Sequence, residues 1–78
     1  MDGNQTIVSE MELIREKIVE EITHSPFLKE ENIRVDFEGL EIILNGDVVN
    51  PESKWLAQDV ATDILGNYHL ENRIRILI

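Results

Sequence analysis

The side chains that could support catalysis are few in this 78-residue chain. His24 and Ser25 supply an imidazole and a hydroxyl, which are the groups that a general base and a nucleophile require. They are sequence neighbours at the predicted end of a helix, where adjacent side chains diverge, and no third group orients them. The sequence also has no cysteine and no glycine-rich phosphate loop. We therefore predict no catalytic residue, no cofactor and no enzyme activity.

Metal binding would need three or four ligands at a suitable spacing. The two histidines, His24 and His69, lie far apart in the sequence, and there is no His-x-x-x-His pair or calcium-binding loop. Three glutamates do share one helix face at intervals of four residues, namely Glu12, Glu16 and Glu20. Carboxylates along a straight helix cannot surround an ion, so we interpret this row as a solvated face and predict no metal site.

Charged and aromatic residues indicate binding rather than catalysis. Arg34, Arg73 and Arg75 are three of only seven basic residues, against sixteen acidic ones, and the formal net charge is −9. This charge opposes long-range attraction to nucleic acid or to an anionic bilayer, so either partner would need a local basic patch. Lys54 and Trp55 form a second candidate, because an indole beside a lysine is typical of a bilayer interface. Trp55 could equally fold over Leu56 or over the N-terminal lead as a structural residue.

The length of the chain allows one modest hydrophobic core and therefore one domain. With 42% hydrophobic and 29% charged residues, the composition is that of a folded domain. We predict a flexible N-terminal lead over residues 1–8 and a single domain over residues 9–78. The sequence has no apolar run of the roughly 20 residues that span a bilayer. Its first residues do not have the basic and apolar pattern of a secretory signal, so we expect neither a transmembrane segment nor a signal peptide in it.

Two helices are predicted. The first begins at Ser9, which can form a capping box with the glutamate three residues later, and it ends before Pro26. Its buried face is formed by Met11, Ile14, Ile18 and Ile22. The second begins at Asn50 and Pro51, with the asparagine as cap and the proline in the first helical position, and Gly66 closes it as a left-handed cap. Its buried stripe is formed by Ala57, Val60, Ala61 and Ile64.

Three strands are predicted from the alternation of apolar and polar residues. In the first, Ile33, Val35 and Phe37 alternate with Arg34, Asp36 and Glu38. In the second, Ile42, Leu44 and Val48 alternate with Ile43, Asn45 and Asp47, and in the last, Leu70, Ile74, Ile76 and Ile78 alternate with Arg73, Arg75 and Leu77. Gly39 supplies the turn between the first two strands, and Gly46 predicts a bulge or a close approach of another backbone segment. The order α-β-β-α-β predicts an α+β two-layer sandwich, with two helices on one face of a three-stranded sheet.

The opposite face of this sheet would be open to solvent. Its arginines are interleaved with two aliphatic residues that we expect to be exposed, and interfaces typically gather arginine with apolar residues. We therefore predict a partner-binding or lipid-headgroup face formed by Arg34, Ile43, Arg73, Arg75 and Leu77. The alternative is that the arginines only pair with carboxylates of neighbouring strands, such as Asp36, Glu38, Glu41 or Glu71.

The spacing of these residues resembles that of the BON domain family, whose members occur in bacterial periplasmic and outer-membrane-associated proteins. The resemblance runs from Ile14 to Ile76 without a gap. It is carried by Ile33-x-Val35, Ile42-x-Leu44-x-Gly46-x-Val48, Ala57, Ala61 and Gly66-x-x-x-Leu70-x-Asn72-x-Ile74-x-Ile76. The family usually has its hairpin glycine where this chain has Leu40, which predicts a different type of turn, and a valine where this chain has Asn67.

The resemblance implies a non-enzymatic attachment module that binds phospholipid membrane surfaces or envelope partners. It suggests the periplasm or the cell envelope as the compartment, and roles in envelope maintenance or osmotic-stress protection. The alternative is a protein–protein or self-association module that uses the open sheet face and binds no lipid. A nucleic-acid binder of the KH type is disfavoured, because the chain has neither a Gly-x-x-Gly loop nor a basic surface. The oligomeric state is left open.

Overall fold

A computed structural model describes the backbone of residues 3–77 and the side chains of residues 8–77. Two helices and four strands follow one another as α1 (Gly3–His24), β1 (Asn32–Glu38), β2 (Glu41–Val48), α2 (Pro51–Leu65), β3 (His69–Asn72) and β4 (Arg75–Ile76). The predicted α+β class and α-β-β-α-β order are confirmed, with the last predicted strand divided into β3 and β4. Ile78, predicted as the end of that strand, lies outside the described residues.

The sheet is mixed, with β2 at its centre. β2 pairs antiparallel with β1 on one side, and parallel with β3 and then β4 on the other. β3 and β4 keep one register against β2, so they occupy a single strand position that is interrupted at Arg73 and Ile74. At the interruption the side-chain Oδ1 of Asn72 accepts a hydrogen bond from the Ile74 N–H at 3.1 Å. The predicted three-stranded sheet is therefore observed with a break in its last strand.

Both helices pack on the same face of the sheet, as predicted. Residues at intervals of three, four or seven share one face of a helix, and every second residue of a strand points to the same face of a sheet. The apolar residues at these two periods meet in one core. The buried core comprises residues of both helices, of the connection after α1 and of the sheet. They are Met11, Ile18 and Ile22 of α1, Leu28 of the connection, Ala57, Ala61 and Leu65 of α2, Val35, Ile42, Leu44 and Val48 of the strands, and Ile74 at the break between β3 and β4. Within residues 3–77, no helix covers the other face of the sheet.

The first helix begins earlier than predicted. α1 starts at Gly3, so Ser9 lies inside the helix and the predicted start at Ser9 is wrong. Residues 4–8 contain neither proline nor glycine, and nothing in them interrupts the hydrogen-bonded backbone of a helix. Part of the lead predicted for residues 1–8 is therefore helical. Residues 1 and 2 lie outside the described residues, and the flexibility of the lead stays a prediction.

The N-terminal half of α1 is attached to the rest of the domain. Met11 is fully buried in the core. Directly before it in the sequence, the Glu10 carboxylate accepts a hydrogen bond from the Tyr68 hydroxyl and thereby raises the pKa of Tyr68, with partial desolvation adding to the effect. Tyr68 itself packs against the core. These contacts attach α1 to the rest of the domain at residues 10 and 11, within the predicted capping box.

The connection from α1 to β1 is folded into turns. The Lys29 N–H donates to the Ser25 carbonyl at 2.9 Å, and the Glu31 N–H donates to the Leu28 carbonyl at 3.0 Å. Leu28 is fully buried and closes the core at the end of α1. Its place in the core was not predicted, because an isolated apolar residue in a loop has no periodic signal.

The hairpin between β1 and β2 has a two-residue loop, formed by Gly39 and Leu40 between the paired residues Glu38 and Glu41. Gly39 has a φ of +61°, whereas no residue other than glycine has a positive φ among the described residues. This pattern is typical of a type II′ turn, whose first position favours glycine and whose second accepts other residues. The prediction that Gly39 supplies the turn is confirmed, and the presence of Leu40 at the second position is explained.

Gly46 lies where two backbone segments come very close. It pairs with Ile33 of β1 and has a φ of +131°. A Cβ atom placed on Gly46 would lie 1.9 Å from the carbonyl oxygen of Asn32. The register between β1 and β2 is continuous on both sides of this position, so of the two predicted explanations the close approach is confirmed and the bulge is not.

The second helix begins as predicted and ends with a modified cap. The Oδ1 of Asn50 accepts a hydrogen bond from the Glu52 N–H at 3.1 Å, and Pro51 occupies the first helical position. At the other end Gly66 has a φ of +66°, as expected for a glycine cap, but its ψ of −114° lies outside the left-handed helical region. The predicted left-handed cap is therefore wrong in ψ, because the chain turns there directly towards β3.

Asn72 connects the last strand to the second helix. Its Nδ2 donates to the Lys54 carbonyl at 3.0 Å and to the Gln58 Oε1 at 3.3 Å, while its Oδ1 accepts from the Ile74 N–H. One partly buried amide thus holds both the α2–β3 contact and the break between β3 and β4.

Replacing Asn72 with alanine should lower the free energy of unfolding by about 2–3 kcal/mol, because its three bonds each contribute roughly 1 kcal/mol. Asn45→Ala is the matched control, since the Asn45 amide donates to Asp36 at 3.2 Å in an exposed position; we expect it to cost about 0.5 kcal/mol. Urea unfolding followed by far-ultraviolet circular dichroism measures both. Equal effects of the two substitutions would contradict the connecting role of Asn72.

Candidate functional site

The open sheet face carries charges of both signs. The predicted arginines Arg34, Arg73 and Arg75 are all exposed on it. They are outnumbered by the carboxylates of the same face, which are Asp36, Glu38, Glu41, Asp47 and Glu71. A face with more carboxylates than arginines is not the local basic patch that an anionic ligand would need on a chain of net charge −9.

Two of the three arginines on this face are paired. The Arg73 Nη2 lies 2.7 Å from the Glu71 Oε2, and the Arg75 Nε lies 2.9 Å from the Asp47 Oδ1. The hydrogen bond from Arg73 holds the pKa of Glu71 below its usual value. Pairing with Glu71 was the predicted alternative to a ligand-binding role, whereas the pair with Asp47 was not predicted. Among the ion pairs formed between residues 8 and 77, none involves Arg34.

Ile43 lies on the predicted face but is not exposed. Only 4% of its surface is accessible to solvent, so the prediction that it forms part of an exposed apolar patch is wrong. Ile43 is in the central strand, where its cross-strand neighbours are Asp36 on one side and Glu71 on the other. Because β2 has a neighbouring strand on each side, a residue of β2 is shielded from solvent by cross-strand neighbours on both sides.

Trp55 is half-exposed, and it lies in a groove with a second aromatic residue. Its exposed fraction is 54%, and that of Phe27 is 76%. The groove has a volume of about 380 Å³ and is lined by Phe27, Asn50, Glu52, Ser53, Trp55, Leu56 and Asp59. Phe27 comes from the loop after α1 and Trp55 from the first turns of α2. Trp55 therefore has the exposure that the bilayer-interface interpretation requires, whereas the side chains of residues 1–7 of the N-terminal lead, over which it could alternatively fold, lie outside the described residues.

Two further apolar side chains are exposed at the same end of the sheet. Val49 follows β2 directly and precedes Asn50 of the groove. The Leu77 N–H donates to the Val48 carbonyl at 2.8 Å, which places Leu77 beside Val49. Their exposed fractions are 71% for Val49 and 52% for Leu77, so the predicted exposure of Leu77 is confirmed. We call Phe27, Val49, Trp55 and Leu77 together the apolar end of the domain.

The charges around the apolar end are mixed, with acidic groups in the groove itself. The Lys54 Nζ lies 5.2 Å from the centroid of the Trp55 ring, within the range of a cation–π interaction. The groove is also lined by the carboxylate residues Glu52 and Asp59. The predicted pair of Lys54 and Trp55 is therefore brought together, but in surroundings that are not basic overall.

The histidines are not brought together. His24 ends α1, where its Nδ1 donates to the Glu20 carbonyl at 2.7 Å, while His69 starts β3 opposite Glu41 near the hairpin. The glutamate row of α1 is exposed. Within residues 8–77 no three side chains of the metal-binding types gather into a group. In the part of the chain that the structure describes, no helix is long and apolar enough to cross a bilayer.

Phe27 and Val49 were not predicted as site residues. Phe27 directly precedes Leu28, and Val49 directly follows Val48. Each is therefore adjacent to another apolar residue instead of alternating with polar ones as in a strand. In both pairs one residue is fully buried and the other is among the most exposed apolar residues of the domain. Adjacent apolar residues at the end of an element are thus a signal that one of them faces solvent, although the sequence does not tell which.

The fold and this end define a class of protein, namely a small α+β domain that presents apolar side chains at one end of a mixed sheet. The chain belongs to the BON domain family, whose model matches residues 11–77. No curated protein and no solved structure matches the chain. Domains of this family are generally non-catalytic modules associated with membranes and the cell envelope.

Proposed function

We propose that this domain attaches to the surface of a bilayer of low net charge in the cell envelope, and that the apolar end makes the contact. The observation that carries the proposal is the presence of four large apolar side chains, each more than half exposed, at one end of the domain. Exposed apolar side chains that gather at one end of a domain mark sites of protein or membrane interaction.

The composition of the apolar end favours a lipid interface over a deeply apolar partner. Trp55 and Lys54 are adjacent, and an indole and a snorkelling lysine both find their preferred depth at the level of lipid headgroups. Insertion of the Phe27 and Trp55 rings would remove roughly 100 Å² of apolar surface each from water, which corresponds to about 2 kcal/mol for each ring. This supports weak and reversible attachment.

The charge of the domain argues for zwitterionic rather than anionic lipid. A net charge of −9 repels an anionic surface, and the groove adds Glu52 and Asp59 at the place of contact. The same carboxylates and aromatic rings suit the ammonium group of an ethanolamine or choline headgroup, since aromatic faces attract cations. The open sheet face is a weaker candidate for lipid, because its carboxylates outnumber its arginines and Ile43 is buried.

The test is binding to vesicles of two compositions, either purely zwitterionic or with a large fraction of phosphatidylglycerol. Trp55 is the only tryptophan, so its fluorescence reports contact of the groove itself. With zwitterionic vesicles we expect a blue shift of the Trp55 fluorescence and co-sedimentation of the protein. Neither effect should depend on the salt concentration. With anionic vesicles we expect weaker binding that improves as salt screens the repulsion.

Two outcomes would overturn this proposal. One is an absence of binding to vesicles of either composition, at low and at physiological salt. The other is binding to anionic vesicles alone that is abolished by salt, since this would show an electrostatic contact of the arginines instead of insertion of the apolar end. Attachment to an envelope protein through the same end would then be the remaining function for this surface.

A further inference from the structure

The outer edge of β1 is the least protected part of the sheet. β1 is terminal in the strand order, and no strand within the described residues pairs with its outer side. It runs for seven residues, whereas the opposite edge is divided into strands of four and two residues. A long edge strand presents a row of unpaired backbone groups, which is a template for pairing with another chain.

The direction of these backbone groups follows from the hairpin. In a hairpin with a two-residue loop, the closing pair, here Glu38 and Glu41, is hydrogen-bonded, and hydrogen-bonded and non-hydrogen-bonded pairs then alternate along the ladder. Ile33, Val35 and Phe37 therefore direct their N–H and C=O groups away from β2. In agreement, the Ile33 N–H is bonded to the nearby Glu31 carbonyl at 3.1 Å and not to β2.

We propose that two copies of this chain associate by antiparallel pairing of β1 with β1, about a two-fold axis at Val35. The backbone groups of the two Val35 residues would pair with each other, and each Phe37 N–H would donate to the Ile33 carbonyl of the second copy. Both helix layers then lie on the same side of a continuous sheet. This surface is distinct from the apolar end, so the proposal does not depend on lipid binding.

The side chains of β1 are complementary to themselves in this register. Arg34 of one copy lies opposite Asp36 of the other, and the symmetry produces this pair twice. The two residues form a non-hydrogen-bonded pair, in which side chains are closest, with Cα atoms about 4.5 Å apart. Arg34 is also the arginine of the open face for which no ion pair is found among residues 8–77, and Asp36 is bonded only by the neutral amide of Asn45 in the same range.

Other registers are less complementary. A slip of one residue would turn the helix layers of the two copies to opposite faces of the sheet, because side chains alternate along a strand. A shift of the axis to Arg34 would place Arg34 opposite Arg34. A shift to Asp36 would place Arg34 opposite Glu38, but it would also place Asp36 opposite Asp36 at the axis. Like charges directly opposite each other are destabilising, so the axis at Val35 is selected.

Apolar groups near the edge also gain cover in this arrangement. On the helix side of β1, Ile33 and Phe37 are only partly buried, and the proposed register places one against the other across the axis. On α1, which packs on β1, Val8 and Val19 are exposed. They lie on the helix flank opposite to Lys17 and Glu21, which line a groove between α1 and α2. Pairing of β1 brings these flanks of the two copies towards each other.

The test uses charge variants of the two complementary residues. We expect the wild-type chain to form a dimer with a dissociation constant in the micromolar range, as is usual for an interface of roughly 1,000 Å². Arg34→Asp alone and Asp36→Arg alone should each weaken the dimer by about 50-fold, because both symmetric pairs become like-charged. The double variant R34D/D36R should dimerise like the wild type. An equimolar mixture of the two single variants should form a heterodimer, which sedimentation velocity detects.

A measurement without substitutions guards against variants that fail to fold. Hydrogen exchange of the wild type should show that the N–H groups of Val35 and Phe37 become more protected as protein concentration rises, while those of β3 do not change. A wild-type chain that stays monomeric at millimolar concentration overturns the proposal. So does a dimer that both single charge variants leave unchanged, since its interface would then lie elsewhere. Neither result bears on vesicle binding by the apolar end.

Discussion

Replacement of Gly46 by alanine should leave most of the protein unfolded at physiological temperature. The new Cβ would lie 1.9 Å from the Asn32 carbonyl oxygen, which belongs to the backbone of the paired strand and cannot rotate away. The backbone at Gly46 also has a φ of +131°, a value that residues with a side chain rarely adopt. We expect a cost of about 4 kcal/mol or more from overpacking and strain together, against a total stability of roughly 4–12 kcal/mol for a domain of this size.

The matched control is Gly39→Ala. Gly39 also has a positive φ, but a Cβ placed on it would meet nothing within 4 Å. Only backbone strain remains there, so we expect a loss of about 1–2 kcal/mol. Thermal unfolding followed by circular dichroism should show a fall in Tm of roughly 20 °C for the Gly46 variant and less than half of that for the control. Similar falls for the two variants would show that β1 and β2 do not approach as closely as described.

Most of the fold could be predicted because two short-range periodicities meet in it. The alternation in β1 and β2, and the apolar stripes of the helices, each point to one buried face whatever the tertiary arrangement is. Turn and cap residues such as Gly39 and Asn50 act through their own backbone and nearest neighbours. Such local signals also placed Gly46 correctly, since a glycine within a strand marks a position where a side chain has no room.

The errors arise where the outcome depends on what stops or covers an element. Ser9 could cap a helix, but a capping box matters only if the helix begins there. In α1 the residues before Ser9, from Gly3 on, are already helical. Ile43 has the position of an exposed residue, yet the side chains of two neighbouring strands bury it. The periodic pattern of one strand contains no information on the length of the side chains beside it.

The candidate site was only partly predictable for a related reason. Trp55 and Leu77 lie in regular elements or next to them, so their position off the core face could be derived from spacing. Phe27 and Val49 follow the ends of elements, where the period is lost and the backbone can turn either neighbour inward. The apolar end combines residues of both kinds, and it therefore emerges only when the loop after α1 and the start of α2 are placed side by side.

Removal of the two aromatic rings of the apolar end should abolish most of the proposed attachment to zwitterionic vesicles. With Phe27→Ser and Trp55→Ser combined, we expect the partition coefficient to fall by at least about 100-fold, because each ring contributes about 2 kcal/mol and each 1.4 kcal/mol is tenfold. Both side chains are more than half exposed, so the stability of the domain should change by only about 0.5 kcal/mol. Vesicle flotation measures the partition without the need for tryptophan fluorescence.

The controls for this double variant are exposed leucines elsewhere on the surface. Leu40 in the hairpin loop and Leu13 on α1 have exposed fractions of 47% and 59%, and neither lies at the apolar end. Leu13→Ser combined with Leu40→Ser removes a comparable amount of apolar surface, and we expect it to leave the partition coefficient within about twofold of the wild type, a change well below 1 kcal/mol. If this control variant lost as much binding as the aromatic variant, apolar surface in general and not the end that carries Phe27 and Trp55 would be responsible for attachment.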